Sequence, residues 1–204
     1  MKALVWTLLL PLTLFGGLAP LDRTSPIPIN PSVRDECHVT FVNVSNAVSS
    51  CDWAIVAPYA AQRSQLKVWT NSIEQIDCVA LLNNVSAYEK DHDGKSLLTV
   101  FVVNSKSLPD FFQVPGHWCV VNLSWLSSDN PKHNLWLNRI AKALLRGLVY
   151  AGGAGSTING HCVMFHRADT LAEFDEVGIQ ISPMAALPLR EAILQIEERR
   201  NAKP

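Results

Sequence analysis

The residues of this chain best suited to bind a metal or move protons are its six histidines, His38, His92, His117, His133, His161 and His166. A catalytic zinc takes three protein ligands, usually His or carboxylate, and keeps one position open for water. Two histidines four apart on one helix face supply most of that geometry. No two of the six stand four apart. The tightest cluster is His161, Cys162 and His166, a thiol beside imidazoles, which suits a nucleophile or a new metal site. His117 joins it if its strand borders the same cleft, and packing around a turn is the competing role. A second constellation is Arg139, Lys142, Arg146 and Tyr150, which at ~100° per residue gather on one side of a helix, opposite an apolar stripe. Arg146 and Tyr150 suit an anionic or carbonyl-bearing ligand; a solvated polar face is the alternative.

The element that positions these groups runs from Leu135 to Met164. Leu137, Ile140, Leu144, Leu148 and Ala151 recur at three- and four-residue steps, the period of a helix with one buried face. Gly152 and Gly153 stop it, since glycine tolerates the left-handed conformation in which helices commonly end. A glycine-rich loop and a tight return through Cys162-Val163-Met164 follow. The loop is not a phosphate cradle, which needs a preceding strand and a Lys before the Ser or Thr; here a helix precedes and no Lys is present.

Helix, glycine turn and Cys-x-Met at this spacing resemble the active-site segment of the metzincins, and of the archaemetzincin family in particular. In that family the helix carries His-Glu-x-x-His, a glycine turns the chain, a third His follows beside a Cys, then Cys-x-Met and later Cys-x-x-Cys. Laid on this chain without a gap, Cys162 and Met164 match Cys-x-Met and Gly153 matches the turning glycine. Arg139, Lys142, Leu171, Glu173 and Asp175 also look like the family. The ligands do not match. Arg146, Gly147 and Tyr150 stand at the His, Glu and His positions, Ser156 at the third His and Thr157 at its neighbouring Cys. Ser182 and Ala185 take the places of the last two cysteines. The resemblance covers Leu97 to Ala185 and implies a small α+β zincin-like domain: a mixed sheet packed on an active-site-type helix, a Met-turn at Met164 and a C-terminal helix. It also implies that the zinc chemistry is lost, because a fixed cation at Arg146 repels a metal ion and Cys162 cannot hold a structural zinc alone.

The rest of the chain fits that order. Cys37–Val44 reads as a strand, with Val39 and Phe41 on one side and Thr40, Val42 and Val44 on the other. Asp52–Ala61 and Leu66–Trp69 are short apolar runs that suit strand or helix equally. Cys78 to Tyr88 suits an amphipathic helix. Leu97–Val103 has the unbroken β-branched pattern of a buried central strand. Pro109–Gly116 reads as a loop carrying Phe111 and Phe112, and His117–Trp125 as the next strand. Ser127 to Pro131 is expected to stop that strand and cap the long helix. Pro188 is expected in the first turn of the last helix, whose Leu189, Ile193 and Ile196 share one face.

Met1-Lys2 followed by the apolar run Ala3 to Phe15 has the form of a signal peptide, with small residues at Gly17-Leu18-Ala19. Pro20 disfavours cleavage there, so an uncleaved membrane anchor is the alternative. The expected organisation is a signal peptide at 1–19, a proline-rich linker at 20–36 and the zincin-like domain at 37–204. The destination is secreted or periplasmic. Export makes disulfides available, and Cys37–Cys51 is a candidate pair among the five cysteines. Asn43, Asn84 and Asn122 open glycosylation sequons. A net charge of −1 with scattered basic residues excludes a nucleic-acid groove. The expected function is a catalytically inactive pseudo-peptidase that binds a peptide or polymer in a former substrate cleft, with no metal and no cofactor. The alternatives are an active zinc peptidase or Cys/His hydrolase with relocated residues His117, His161, Cys162 and His166, and a structural envelope protein.

Overall fold

The computed structural model describes residues 37–73, 98–108, 111–114, 118–165 and 170–202. Strands β1 (Val39–Val44), β2 (Val68–Ile73), β3 (Leu98–Val103), β4 (Phe111–Val114) and β5 (Trp118–Asn122) form one sheet in the order β2-β1-β3-β5-β4. Four of them run parallel, and β4 at the edge is antiparallel to β5. The helices are α1 (Ser50–Ser64), α2 (His133–Ala151), α3 (Leu171–Glu176) and α4 (Pro183–Asn201).

Every residue of β1 and β3 is buried, as parallel strands covered on both faces require. Side chains divide as the alternation predicts. Val39 and Phe41 enter the main core with residues of α1, α2 and α4, while Val42 and Val44 join Phe101, Val103 and Val120 on the other face.

Asp52–Ala61, ambiguous in sequence, is helical. Trp53, Val56, Ala57 and Ala60 are its buried residues, a clean helical spacing that Pro58 obscures. Ser49 caps it by accepting from Asp52 N at 3.2 Å, and Gln65 closes it with a left-handed φ of 58°. The second ambiguous run opens β2.

Four expectations need correction. The segment expected as the loop Pro109–Gly116 contains β4, a four-residue edge strand where flanking prolines are tolerated. Lys132 is the N-cap of α2 and makes no side-chain capping bond, so the Ser127–Pro131 segment turns the chain without capping the helix. Pro183, not Pro188, occupies the first turn of α4; Pro188 lies inside it. No disulfide joins Cys37, which is buried, to Cys51, which is exposed.

Two of the sequons are closed. Asn43 is buried and clips the turn after β1, donating to Val48 O at 2.7 Å and accepting from Val48 N at 3.1 Å. Asn122 is also buried; its Nδ2 donates to the carbonyls of Ser105 and Leu108, and its Oδ1 accepts from Ser105 N. The expected helix over Cys78–Tyr88, the Asn84 sequon and the N-terminal 36 residues lie outside the described residues.

Candidate functional site

Helix α2 lies across the sheet on its apolar stripe, with Leu137, Ile140, Leu144, Leu148 and Ala151 buried as expected. The opposite face is buried too. Arg139, Lys142 and Arg146 are 1%, 3% and 7% exposed, so the alternative of a solvated polar face does not hold at Arg146. A buried charge is costly unless it is paired or hydrogen-bonded, and these three are engaged by segments on both sides of the helix.

Arg139 uses all five of its N–H groups. Its guanidinium donates to both carboxylate oxygens of Asp129 (2.6 and 2.9 Å), both of Asp175 (2.7 and 2.6 Å) and the carbonyl of Leu126 (2.6 Å). Those hydrogen bonds raise the pKa of Arg139 and hold the Asp129 carboxyl below its usual range. Lys142 donates to the carbonyls of Phe174 (3.0 Å) and Asp175 (2.6 Å), so it caps the end of α3. Burial pushes its pKa down to about 8, against a smaller upward pull from Asp175. Sequence reading placed these cations on one face but could not find Asp129 and Asp175 as partners, because nothing local links residues 10 and 36 positions away.

Arg146 and Tyr150 follow one and two turns after Lys142 on the same side of α2. The Arg146 guanidinium donates to Phe165 O at 3.2 Å and stands 5.9 Å from the Phe174 ring centroid. Tyr150 is half-buried against the main core. Gly147 faces the sheet. A Cβ built there would lie 2.5 Å from Val121 Cγ2 and 2.9 Å from Val100 Cγ1, so any side chain at this position would force the sheet's valines to shift. Ser156 is exposed on the loop.

That loop closes as a Met-turn. Thr157 N donates to Met164 O at 2.8 Å, Phe165 N to Cys162 O at 3.0 Å, and Val163 N to Gln180 O at 2.7 Å. Met164 is fully buried in the main core. Gly178 lets the returning chain approach, since a Cβ there would sit 2.0 Å from His161 O. Cys162 Sγ accepts from Ser182 N at 3.3 Å and Met164 N at 3.5 Å, and Ser182 Oγ accepts from Ala185 N at 3.4 Å. The ungapped reading put Cys162, Ser182 and Ala185 at three of the family's cysteine positions. The fold brings them together, but as a helix cap around one thiol.

The relocated constellation is not assembled among the described residues. His161 is exposed while the adjacent Cys162 is buried with its sulfur turned toward backbone N–H groups. His117 and His166 lie outside the described residues. His38 and His133 are each paired with a carboxylate, Glu197 at 2.8 Å and Asp52 at 2.7 Å. Among the described residues no three His, Cys, Asp or Glu are grouped to hold a metal ion. Arginine, glycine, tyrosine and serine do not fit a zinc ion at the positions where the fold would place it.

No family model and no curated protein matches the sequence. Two crystal structures share the fold. One is a zinc-dependent peptidase from Methanocorpusculum labreanum, 13% identical with a TM-score of 0.58, covering 74% of this chain and 99% of that one. The other is the archaemetzincin of Methanopyrus kandleri, 18% identical with a TM-score of 0.56, covering 79% of this chain and 98% of that one. The fold is that of an archaemetzincin. In this chain that fold consists of a four-strand parallel sheet with an antiparallel edge, and Arg146 and Tyr150 stand on the face of α2 turned away from its apolar stripe.

Proposed function

We propose that this protein is an exported pseudo-peptidase, a binding or regulatory protein that engages a peptide or polymer in the cleft where a peptidase of this fold would hold substrate. The observation that carries the reading is the pair Arg146 and Gly147. Where the resemblance implies the first His stands Arg146, hydrogen-bonded to Phe165 O, and where it implies the Glu stands Gly147, at which a Cβ would crowd Val121 and Val100. Zinc hydrolysis relies on a metal that lowers the pKa of its bound water, commonly with a carboxylate to take the proton. Arg146 and Gly147 supply neither.

Export rests on Lys2 and the apolar run to Phe15, followed by a proline-rich linker before the domain. Among the described residues no helix is long and apolar enough to cross a membrane; an uncleaved N-terminus acting as an anchor is the alternative to cleavage and release.

The experiment is metal analysis of the native protein together with peptide hydrolysis. The expected outcome is substoichiometric zinc and no chelator-sensitive cleavage. Hydrolysis abolished both by a chelator and by His161→Ala would overturn the reading and establish a relocated site.

A further inference from the structure

A groove of about 320 Å³ opens between the end of α1 and the first half of α4. Leu66, Ile181, Leu189 and Ile193 form its apolar lining, and Arg63 and Arg190 reach it from the two helices. Among the described residues, none that lines it is acidic. None of these residues stands at a position of the site described above.

The two arginines differ in what holds them. Arg63 is steadied from behind, its Nε donating to Tyr59 Oη at 3.1 Å with the guanidinium 5.2 Å from the Tyr59 ring centroid. That geometry leaves its terminal nitrogens available. Arg190, among the described residues, makes no hydrogen bond or ion pair. Carbonyls at the end of α1 that would repel an anion are partly satisfied: Ser64 Oγ donates to Ala61 O at 2.8 Å, and Gln65 N to Gln62 O at 3.2 Å. Glu197, one turn beyond Ile193, is engaged by His38. The groove therefore presents two cations over a lining that is more polar than apolar, with apolar surface mainly at Leu66 and Ile181, and no carboxylate among its described lining residues.

We propose that this groove binds a small amphipathic carboxylate, its charge bridging Arg63 and Arg190 and its apolar body lying on Leu66, Ile181, Leu189 and Ile193. Guanidinium groups match carboxylate geometry through paired N–H donors, which gives orientation as well as affinity. A groove of this size sits at the lower end of ligand-site volumes, so an acid of about ten heavy atoms fits and a folded partner does not.

Sodium octanoate is the probe, with octanamide as its uncharged counterpart. Binding to the full chain is followed by calorimetry and by the methyl NMR signals of Ile181 and Ile193. Saturable shifts at those methyls are expected with octanoate. Octanamide is expected to bind at least about tenfold more weakly, as loss of a charged hydrogen bond predicts. Arg190→Gln should weaken octanoate by a similar factor without changing the fold, because Arg190 supports no other contact. Arg63→Gln should do the same. Equal binding of octanoate and octanamide would reduce the groove to unspecific apolar surface. Absence of saturable shifts, or shifts confined to Ile158 and the Met-turn loop, would overturn the proposal. None of these outcomes depends on whether the protein hydrolyses peptides.

Discussion

Gly147 stands at the Glu position that the family resemblance implies, and its packing against the sheet makes any side chain there costly. In a helix interior, glycine to alanine normally gains about 1 kcal/mol. Here the new Cβ meets Val121 and Val100, whose branched side chains are stiff and held in the sheet. Overpacking of that kind costs ~1–3 kcal/mol, so net of that gain Gly147→Ala is expected to lower stability by roughly 0–2 kcal/mol in urea unfolding. An increase in the urea midpoint would mean that the sheet yields. Lys142 provides a second test at this scale. Its pKa falls from the ordinary 10.5 to about 8 on folding, so between those values the unfolded chain holds more protons than the folded one. The contribution of Lys142 to stability is therefore unfavourable at neutral pH and improves as pH rises through that window, by up to about 3 kcal/mol. Denaturation from pH 7 to 10.5 should show this rise, and Lys142→Met should remove it.

Among the elements, α2 is bound to its surroundings by two different means: an apolar stripe on the sheet, and cations fixed to α3 and to the turn at Asp129. Arg139 is the centre of the second. Removing one partner of a buried pair leaves uncompensated charge and costs ~3–5 kcal/mol. Arg139→Met is expected in that range, with Asp175→Asn less damaging and Asp129→Asn least, because the side chain of Asp129 is 46% exposed and that of Asp175 25%. The folded pKa of Asp129 is depressed, so its contribution is complete above the ordinary aspartate range and is lost as pH falls below it. Acid unfolding of Asp129→Asn should show a correspondingly shallower loss. A ranking in which Asp129→Asn was the most destabilising of the three would show that the exposed arm carries the helix.

The stripe of α2 was legible in the sequence because it is periodic; its ion pairs were not, because they join residues from separate turns of the chain. The same distinction holds elsewhere. β1 and β3 were readable from alternation and unbroken β-branched runs, whereas α1 was hidden by Pro58 within an otherwise helical spacing. β4 was missed because four residues between prolines carry almost no periodic signal. At the site, the spacing from Gly153 to Met164 located the tight return after α2, which closes through Thr157, Cys162 and Met164. It could not reveal that Arg146 is hydrogen-bonded to Phe165 O or that Gly147 abuts the sheet, since both facts depend on contacts made across the fold.

For the whole molecule, these contacts predict how stability responds to zinc. A ligand stabilises a protein only by binding its folded state, and a native site at a hundredfold excess over Kd would add about 2.7 kcal/mol. In a chain of this size that corresponds to a rise in Tm of roughly 5–10 °C. Here the helix is fastened to the segments after it by Arg139, Lys142 and Arg146, whose positive charges oppose a divalent cation on the same face. The turn around Cys162 is likewise closed by backbone N–H groups and the Ser182 cap. The expected result in thermal denaturation is no saturable rise in Tm with zinc and no fall with a chelator. Adventitious surface binding would give a small, unsaturating drift. A saturable rise of about 5 °C or more that disappears in His161→Ala or His166→Ala would instead reveal a native metal site, and with it a chemistry different from the one proposed.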